Sequence, residues 1–312
     1  MTNKYRILIT GGNGFIGQNL ILRIQEAHPM ADIESIDIFE KKYDLLDNSI
    51  NIHNHHIDLK DCESLNKLVN RIEPTHVFHL ASDTDRTRDV GITKSLIDNN
   101  VIGTINLLDS LVDIRPKSIV FVSTSEVYGE NKPPFREDML LHPVSPYSAS
   151  KASAEIYCML YHKLLDMPII ILRLFNVFGI GQSPKMLIPE LILSCLNGRI
   201  IDLTKGEQRR EFNYVKDVVE AIFSASKTEK SVGKIINVGC GSDKKIRDVV
   251  NFIVDYIDKS LTPEFGSLNY RDNEIWRMYC ENKLAKDFLG WKPRYSFEEA
   301  IKETIEWYKQ WT

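Results

Sequence analysis

Tyr147 and Lys151 stand four residues apart in Tyr-Ser-Ala-Ser-Lys, a spacing that puts a phenol and an ammonium on one face of a helix. A nearby cation favours the phenolate, so such a pair can take a proton from a hydroxyl near neutral pH. Tyr-x-x-x-Lys is common by chance. It gains meaning from the apolar run Ile119 to Val122 just before it, which opens into Ser123-Thr124-Ser125-Glu126-Val127-Tyr128-Gly129. Hydroxyls at the carboxyl end of a parallel strand lie at the crevice where such sheets bind their ligands.

A second constellation lies at the start of the chain. The apolar run Ile7 to Thr10 leads into Gly11-Gly12-Asn13-Gly14-Phe15-Ile16-Gly17, and an amphipathic helix follows. Gly11, Gly14 and Gly17 allow a tight turn, close approach of a pyrophosphate to bare backbone, and close packing of helix on strand. The helix N-terminus, with Phe15 and Ile16 in its first turn, offers unpaired N–H groups and partial positive charge to phosphates. Asp37 ends the second apolar run about 20 residues past Gly17, where a carboxylate can accept both hydrogen bonds of an adenosine ribose and repel a 2′-phosphate. The competing reading is an Asp that only caps the strand. The pattern predicts NAD rather than NADP. Asp58 and Leu59 are placed to meet the adenine, unless Asp58 is a helix N-cap.

The elements that must position these groups alternate. Runs Ile7 to Thr10, Ile33 to Asp37, His76 to Leu80 and Ile119 to Val122 read as strands, interleaved with helical patterns over Ile16 to Ala27, Ser64 to Ile72 and Ile97 to Leu111. That rhythm predicts right-handed βαβ crossovers and a Rossmann-type, doubly wound parallel sheet in an α/β fold. From Phe175 onward, Pro184, Pro189, Gly198, Gly206, Pro263 and Gly266 break the rhythm into shorter elements. We therefore expect residues 1–174 to carry cofactor and catalysis, and residues 175–312 to form mainly a smaller α/β substrate lobe. Ile235 to Val238 is expected to return to the main sheet.

A length of 312 residues suits this plan, and 43% hydrophobic with 26% charged residues is ordinary for a globular protein. A net charge of −4, with scattered basic residues, argues against nucleic acid as a partner. The five cysteines have neither metal-ligand spacing nor a paired framework, so no metal site is expected. His53, His55 and His56 read as a solvated loop. With no apolar run near the roughly 18 residues of a membrane span and no signal peptide, we expect a cytoplasmic protein that does not enter membranes.

Taken together, the chain resembles the extended short-chain dehydrogenases, also called the NAD-dependent epimerase/dehydratase family of nucleotide-sugar enzymes. The resemblance covers nearly the whole sequence. It includes the glycine-rich turn at 10 to 17, His79-Leu80-Ala81-Ser82, Asn100 with Gly103-Thr104, the serine-threonine loop, Tyr147 with Lys151, Leu172 to Gly179, and Leu289-Gly290-Trp291-Lys292-Pro293. It implies a nucleotide-diphosphate sugar as substrate and loss of a hydride from sugar C4 to NAD. In that scheme Thr124 bonds the reacting oxygen, Tyr147 takes its proton and Lys151 holds the nicotinamide ribose. Leu80, Ala81, Asn100 and Ser123 would line the cofactor, and Ser125 would join Thr124 at the sugar. Asn176, Arg210 and Arg271 match residues that bind the substrate diphosphate; two guanidiniums suit a pyrophosphate. An ion pair with Glu207 or Glu211 is the competing role for Arg210, and Arg209 reads as its solvated neighbour. The apolar faces of helices Ile97 to Leu111 and Ser150 to Leu164 resemble the family's dimer seam, so a homodimer is expected.

The residues beside the base discriminate among members. In the family's 4,6-dehydratases a Thr-Asp-Glu triplet supplies an acid and a base; this chain has Thr124-Ser125-Glu126 and lacks the Asp. GDP-mannose dehydratases and UDP-glucuronate decarboxylases carry a similar Thr-Ser-Glu, so Glu126 is either an acid/base or structural. Asp83-Thr84-Asp85-Arg86-Thr87-Arg88-Asp89 is unusually polar, and Thr84 is a candidate contact for sugar hydroxyls, the alternative being a solvated loop. Tyr270 to Glu274 looks closer to the branch handling GDP-deoxymannose sugars. The resulting reading is a net 4-dehydrogenase or 4-epimerase, with a 4,6-dehydratase as the near alternative and a non-catalytic NAD-binding regulator as the distant one.

Overall fold

Alternate side chains of a buried strand face opposite layers, and the apolar runs here supply both. In the computed structural model, which describes residues 5–41, 43–46, 50–199, 201–270 and 274–311, Ile7, Ile9, Phe78 and Val120 face one side of a sheet. Leu8, Val77, Ile119 and Phe121 face the other. The strands are β1 (Arg6–Thr10), β2 (Asp32–Asp37), β3 (Ile52–His56), β4 (His76–His79), β5 (Ser118–Thr124) and β6 (Ile169–Leu174). Short strands β7 (Val177–Phe178), β8 (Arg209–Arg210) and β9 (Asn213–Tyr214) precede β10 (Ile235–Val238), which rejoins the main sheet as expected. Strands β11 (Lys244–Lys245) and β12 (Arg277–Met278) flank β8 in a separate small sheet.

The seven-stranded sheet runs β3-β2-β1-β4-β5-β6-β10, parallel throughout. Its order reverses between β1 and β4, so a crevice opens at their carboxyl ends, the switch point where such sheets bind ligands. Helices α1 (Phe15–Ala27) and α2 (Cys62–Ile72) cover opposite faces. After α2 come α3 (Thr93–Leu96) and α4 (Gly103–Leu111), joined by a π-helical segment, Ile97–Ile102. The single helix expected from Ile97 to Leu111 therefore starts earlier and changes pitch. The wider turn brings Asn100 inward, where it is buried and hydrogen-bonded on both ends of its amide.

Helix α5 (Pro146–Leu165) starts sharply because Ser145 caps it in a capping box with Ser148 and Pro146 opens its first turn. Its buried face, Tyr147, Ser150, Lys151, Ala154, Glu155 and Cys158, follows helical spacing and lies over β5 and β6. Helices α6 (Leu187–Leu196), α7 (Val215–Lys227), α8 (Ile246–Ile257), α9 (Lys283–Leu289) and α10 (Phe297–Tyr308) complete the C-terminal part. No helix among the described residues is long and apolar enough to cross a membrane.

One expectation fails here. His53, His55 and His56 belong to an edge strand, β3, and not to a loop. The strand lacks apolar alternation yet pairs with β2 through a parallel backbone ladder, beside which His55 meets Glu34 and His53 Nε2 lies 3.7 Å from Asp32 Oδ1. Asp32, Glu34 and His53 bring ligand atoms within 4.8 Å of one another on this open edge.

Candidate active site

The turn after β1 has no room for side chains. Gly11 has φ +78°, and a Cβ there would lie 2.7 Å from the Ala81 amide nitrogen; a Cβ on Gly17 would lie 2.2 Å from the Gly11 carbonyl oxygen. No side chain caps α1, whose N-cap is Gly14, so its first N–H groups face the crevice with the positive end of the helix dipole. This is a cradle for a pyrophosphate, with Phe15 and Ile16 half-buried behind it. Asp37 ends β2 beside it; its two oxygens accept from the Asn13 and Phe39 amides, each at 3.0 Å, which aims the carboxylate along the turn. Asp58 is not the N-cap of α2. That role falls to Asp61, which accepts from Ser64, while Asp58 accepts from the Lys60 amide at 2.9 Å. Leu59 is buried under Gly103.

Leu80 and Ala81 follow β4 at the floor of the crevice, beneath a buried imidazole. His79 is bridged by the Thr10 hydroxyl at 2.6 Å and the Thr104 hydroxyl at 2.9 Å. Burial pushes it down to about 3, so it is neutral and ties β4 to β1 and α4.

Strand β5 ends at Thr124, and a 3₁₀ turn, Ser125–Tyr128, carries the chain away. Thr124 lies close enough to Tyr147 for its side chain to act on the phenol's ionisation, which brings the strand end up to the first turn of α5. Burial raises the phenol above its ordinary value; the Arg86 guanidinium acts most strongly against that rise, Glu126 adds to it, and the polar side chain of Thr124 lowers it. Lys151 donates from Nζ to the Val122 carbonyl at 2.8 Å and lies 4.2 Å from the centre of the Phe121 ring. Burial brings its ammonium down to about 8. Tyr147 and Lys151 lie on one buried face of α5, as their spacing predicts, but the cation acting most strongly on the phenol is Arg86, which patterns along the chain did not single out.

Several predicted residues support the site from behind. Ser123 donates its hydroxyl to buried Glu155, which also pairs with Arg173 at 2.7 Å. Asn100 accepts the Asp83 amide and donates to Ser150, pinning the loop after β4 to α5. Ser125 is buried and points its hydroxyl at Met278 Sδ, 3.3 Å away. Thr84 is exposed at the crevice rim, and Glu126 pairs with Arg86 at 3.2 Å. Asn176 follows β6 and accepts the Asn213 amide on its carbonyl.

Arg210 lies on β8, where its guanidinium pairs with Glu274 and not with Glu207 or Glu211. Glu207 is turned to Lys245 and Arg247, and Glu211 is fully buried, accepting the Gly241 and Cys280 amides. Arg209 is no solvated neighbour: its Nε is 2.8 Å from Asp243, which Arg277 also meets at 2.8 Å. Arg271 lies outside the described residues.

A hydroxyl, a phenol, two cations and a carboxylate thus converge beside a dinucleotide cradle, an arrangement suited to removing a proton from a substrate hydroxyl next to a hydride acceptor. Comparison with known proteins agrees. The family described as GDP-mannose 4,6 dehydratase matches residues 8–304. A dTDP-glucose 4,6-dehydratase of Shigella flexneri is 31% identical, over 97% of this chain and 92% of its own. Among solved structures, a UDP-glucose 4-epimerase of Thermotoga maritima with UDP-glucose superposes with a TM-score of 0.91 at 26% identity, covering 98% of this chain and 99% of that one. A dTDP-glucose 4,6-dehydratase of Bacillus anthracis in complex with NAD gives 0.85 at 28% identity, covering 98% and 96%.

Proposed function

Because the chain belongs to the GDP-mannose 4,6 dehydratase family, within the extended short-chain dehydrogenases that act as NAD-dependent epimerases and dehydratases, we propose that it oxidises C4 of a nucleotide-diphosphate sugar. The observation that carries this is the approach of Thr124, at the carboxyl end of β5, to buried Tyr147 in the first turn of α5, with Lys151 one turn along and the glycine cradle across the crevice. Thr124 holds the C4 hydroxyl against Tyr147, and Tyr147 takes its proton. NAD, when bound, accepts the hydride from C4. Lys151 lies where it can leave the Val122 carbonyl for the nicotinamide ribose, and Asp37 faces the adenosine ribose. Arg210, with Asn176 and Arg271, is assigned to the substrate diphosphate, Glu274 serving as its placeholder in the free protein.

We assign residues 1–174 to cofactor and catalysis and 175–312 mainly to the sugar nucleotide. The net reaction we favour is 4-dehydrogenation or 4-epimerisation, since Glu126 is engaged by Arg86 and Ser125 is turned away from the crevice. A 4,6-dehydratase is the second reading, favoured by the carboxylate of Glu126 at the site and by the Shigella relative. The GDP preference rests on Tyr270 to Glu274, of which residues 271–273 lie outside the described part. Five free cysteines suit a reducing compartment, and we assign the protein to the cytoplasm. The exposed apolar residues of α5 support a homodimer.

The test is mass spectrometry of products formed in heavy water from GDP-, UDP-, dTDP- and CDP-sugars with added NAD. Loss of two hydrogens without loss of water identifies a dehydrogenase, and an isomer of unchanged mass an epimerase. Loss of water with deuterium at C5 identifies a dehydratase. If no sugar of the panel yields any of these, the C4 reading is wrong.

A further inference from the structure

The loop after β4 spends its carboxylates on its own backbone. Asp83 Oδ1 accepts the Asp85 amide at 3.1 Å, Asp85 Oδ1 the Thr87 amide at 2.8 Å, and Asp89 Oδ1 the Gly91 amide at 2.8 Å. Its root is fixed by Asn100, which accepts the Asp83 amide at 2.7 Å and donates to the Asp83 carbonyl at 2.9 Å. From this braced turn Arg86 reaches into the crevice. Its Nε is 3.2 Å from Glu126 Oε1, and its Cζ is 5.9 Å from the centre of the Tyr147 ring.

We infer that Arg86 is a positioning residue: it steadies the Tyr147 phenolate during oxidation at C4 and holds the Glu126 carboxylate back from the sugar ring. The inference rests on the C4 reading above. Among the described residues, the charged groups around Tyr147 are Arg86 from the loop after β4, Glu126 from the turn after β5, and Lys151 one turn along α5. Glu126 alone would oppose a phenolate beside it; a guanidinium paired to Glu126 and near the phenol offsets that repulsion. In the oxidation, the C4 hydroxyl proton moves to the Tyr147 oxygen, and the O–H electron pair becomes the second C–O bond as hydride leaves C4 for the bound dinucleotide.

Elimination needs a different base. A carboxylate must take the C5 proton, the C–H pair becoming a C5–C6 double bond while the C6 hydroxyl departs, protonated, as water. Glu126 is the carboxylate at hand, and to serve it must leave Arg86. The pair therefore biases the 4-keto sugar away from loss of water.

The test uses the NAD-loaded protein labelled with carbon-13 at tyrosine Cζ, the Tyr147 resonance being identified by its loss in Tyr147→Phe. In Arg86→Gln the midpoint of that resonance should rise by about one unit or more, and Arg86→Lys should restore most of the change. A second arm supplies UDP-glucose, dTDP-glucose or GDP-mannose in heavy water. Deuterium incorporated at C5 per 4-keto sugar should rise about tenfold in Arg86→Gln and vanish when Glu126→Gln is added. An unmoved midpoint in Arg86→Gln with unchanged melting temperature, or unchanged C5 exchange, overturns the inference. A wild-type protein that makes no 4-keto sugar from any probe defeats the C4 reading instead, and the titration still reports separately on Arg86.

Discussion

At the scale of single residues, the proposal depends on one phenol. Replacing it in Tyr147→Phe should lower turnover by about 10²–10⁴-fold while NAD affinity, read by calorimetric titration, stays within a factor of a few. Unchanged turnover would remove Tyr147 as the base. His79 makes a different prediction. Its imidazole is kept neutral far below its ordinary 6.5, so between about pH 6.5 and pH 3 the unfolded chain binds a proton that the folded protein refuses. Stability must therefore fall as pH drops through that window, by about 1.4 kcal/mol per unit for one such group. His76, pushed down to about 4 chiefly by burial, acts in the same direction. Urea unfolding at stepped pH should show a shallower acid slope in His79→Asn than in the wild type, and equal slopes would refute the assignment. Tyr147, Thr124 and the glycines were legible because their meaning lies in short spacing. Arg86 and the Glu274 partner of Arg210 were not, since each depends on which distant strand end or loop arrives beside it.

At the scale of elements, α5 is fastened to β5 and β6 by a buried network. Glu155 and Arg173 are each almost fully buried, Arg173 also donates to the Tyr128 hydroxyl at 2.8 Å, and Glu155 accepts from Ser123. Removing one partner in Glu155→Ala strands a guanidinium in the core. We expect a loss of about 3–5 kcal/mol in urea unfolding, together with weaker catalysis because the helix carrying Tyr147 loosens. A loss under about 1 kcal/mol would mean that water enters and solvates Arg173. The βαβ order and the return of β10 could be read from apolar periodicity. Strand β3 could not, because its side chains are polar and its place is set by the backbone ladder with β2, and the π-helical segment before α4 leaves no mark in composition.

At the scale of the whole molecule, α5 exposes Ile156 (64%) and Leu164 (67%) together with Tyr157 and Leu160, and Ile97 and Ile102 add to the same apolar surface inventory. Such a cluster is costly in water and suits a second copy. Light scattering at micromolar concentration should give a dimer mass for the wild type and a monomer mass for Leu160→Glu; a monomeric wild type would end the homodimer proposal. The return of β10 to the sheet also bears on how the chain is made. Strand β6 is buried along its whole length and pairs with β10 on its outer side, yet residues 175–234 must be synthesised before β10 exists. During those seconds of translation the nascent chain carries an open apolar strand edge, the kind of surface that seeks pairing with any neighbouring chain. Ribosomes translating this message in close succession would therefore hold six-stranded sheets with an open edge at β6 until residue 238 emerges.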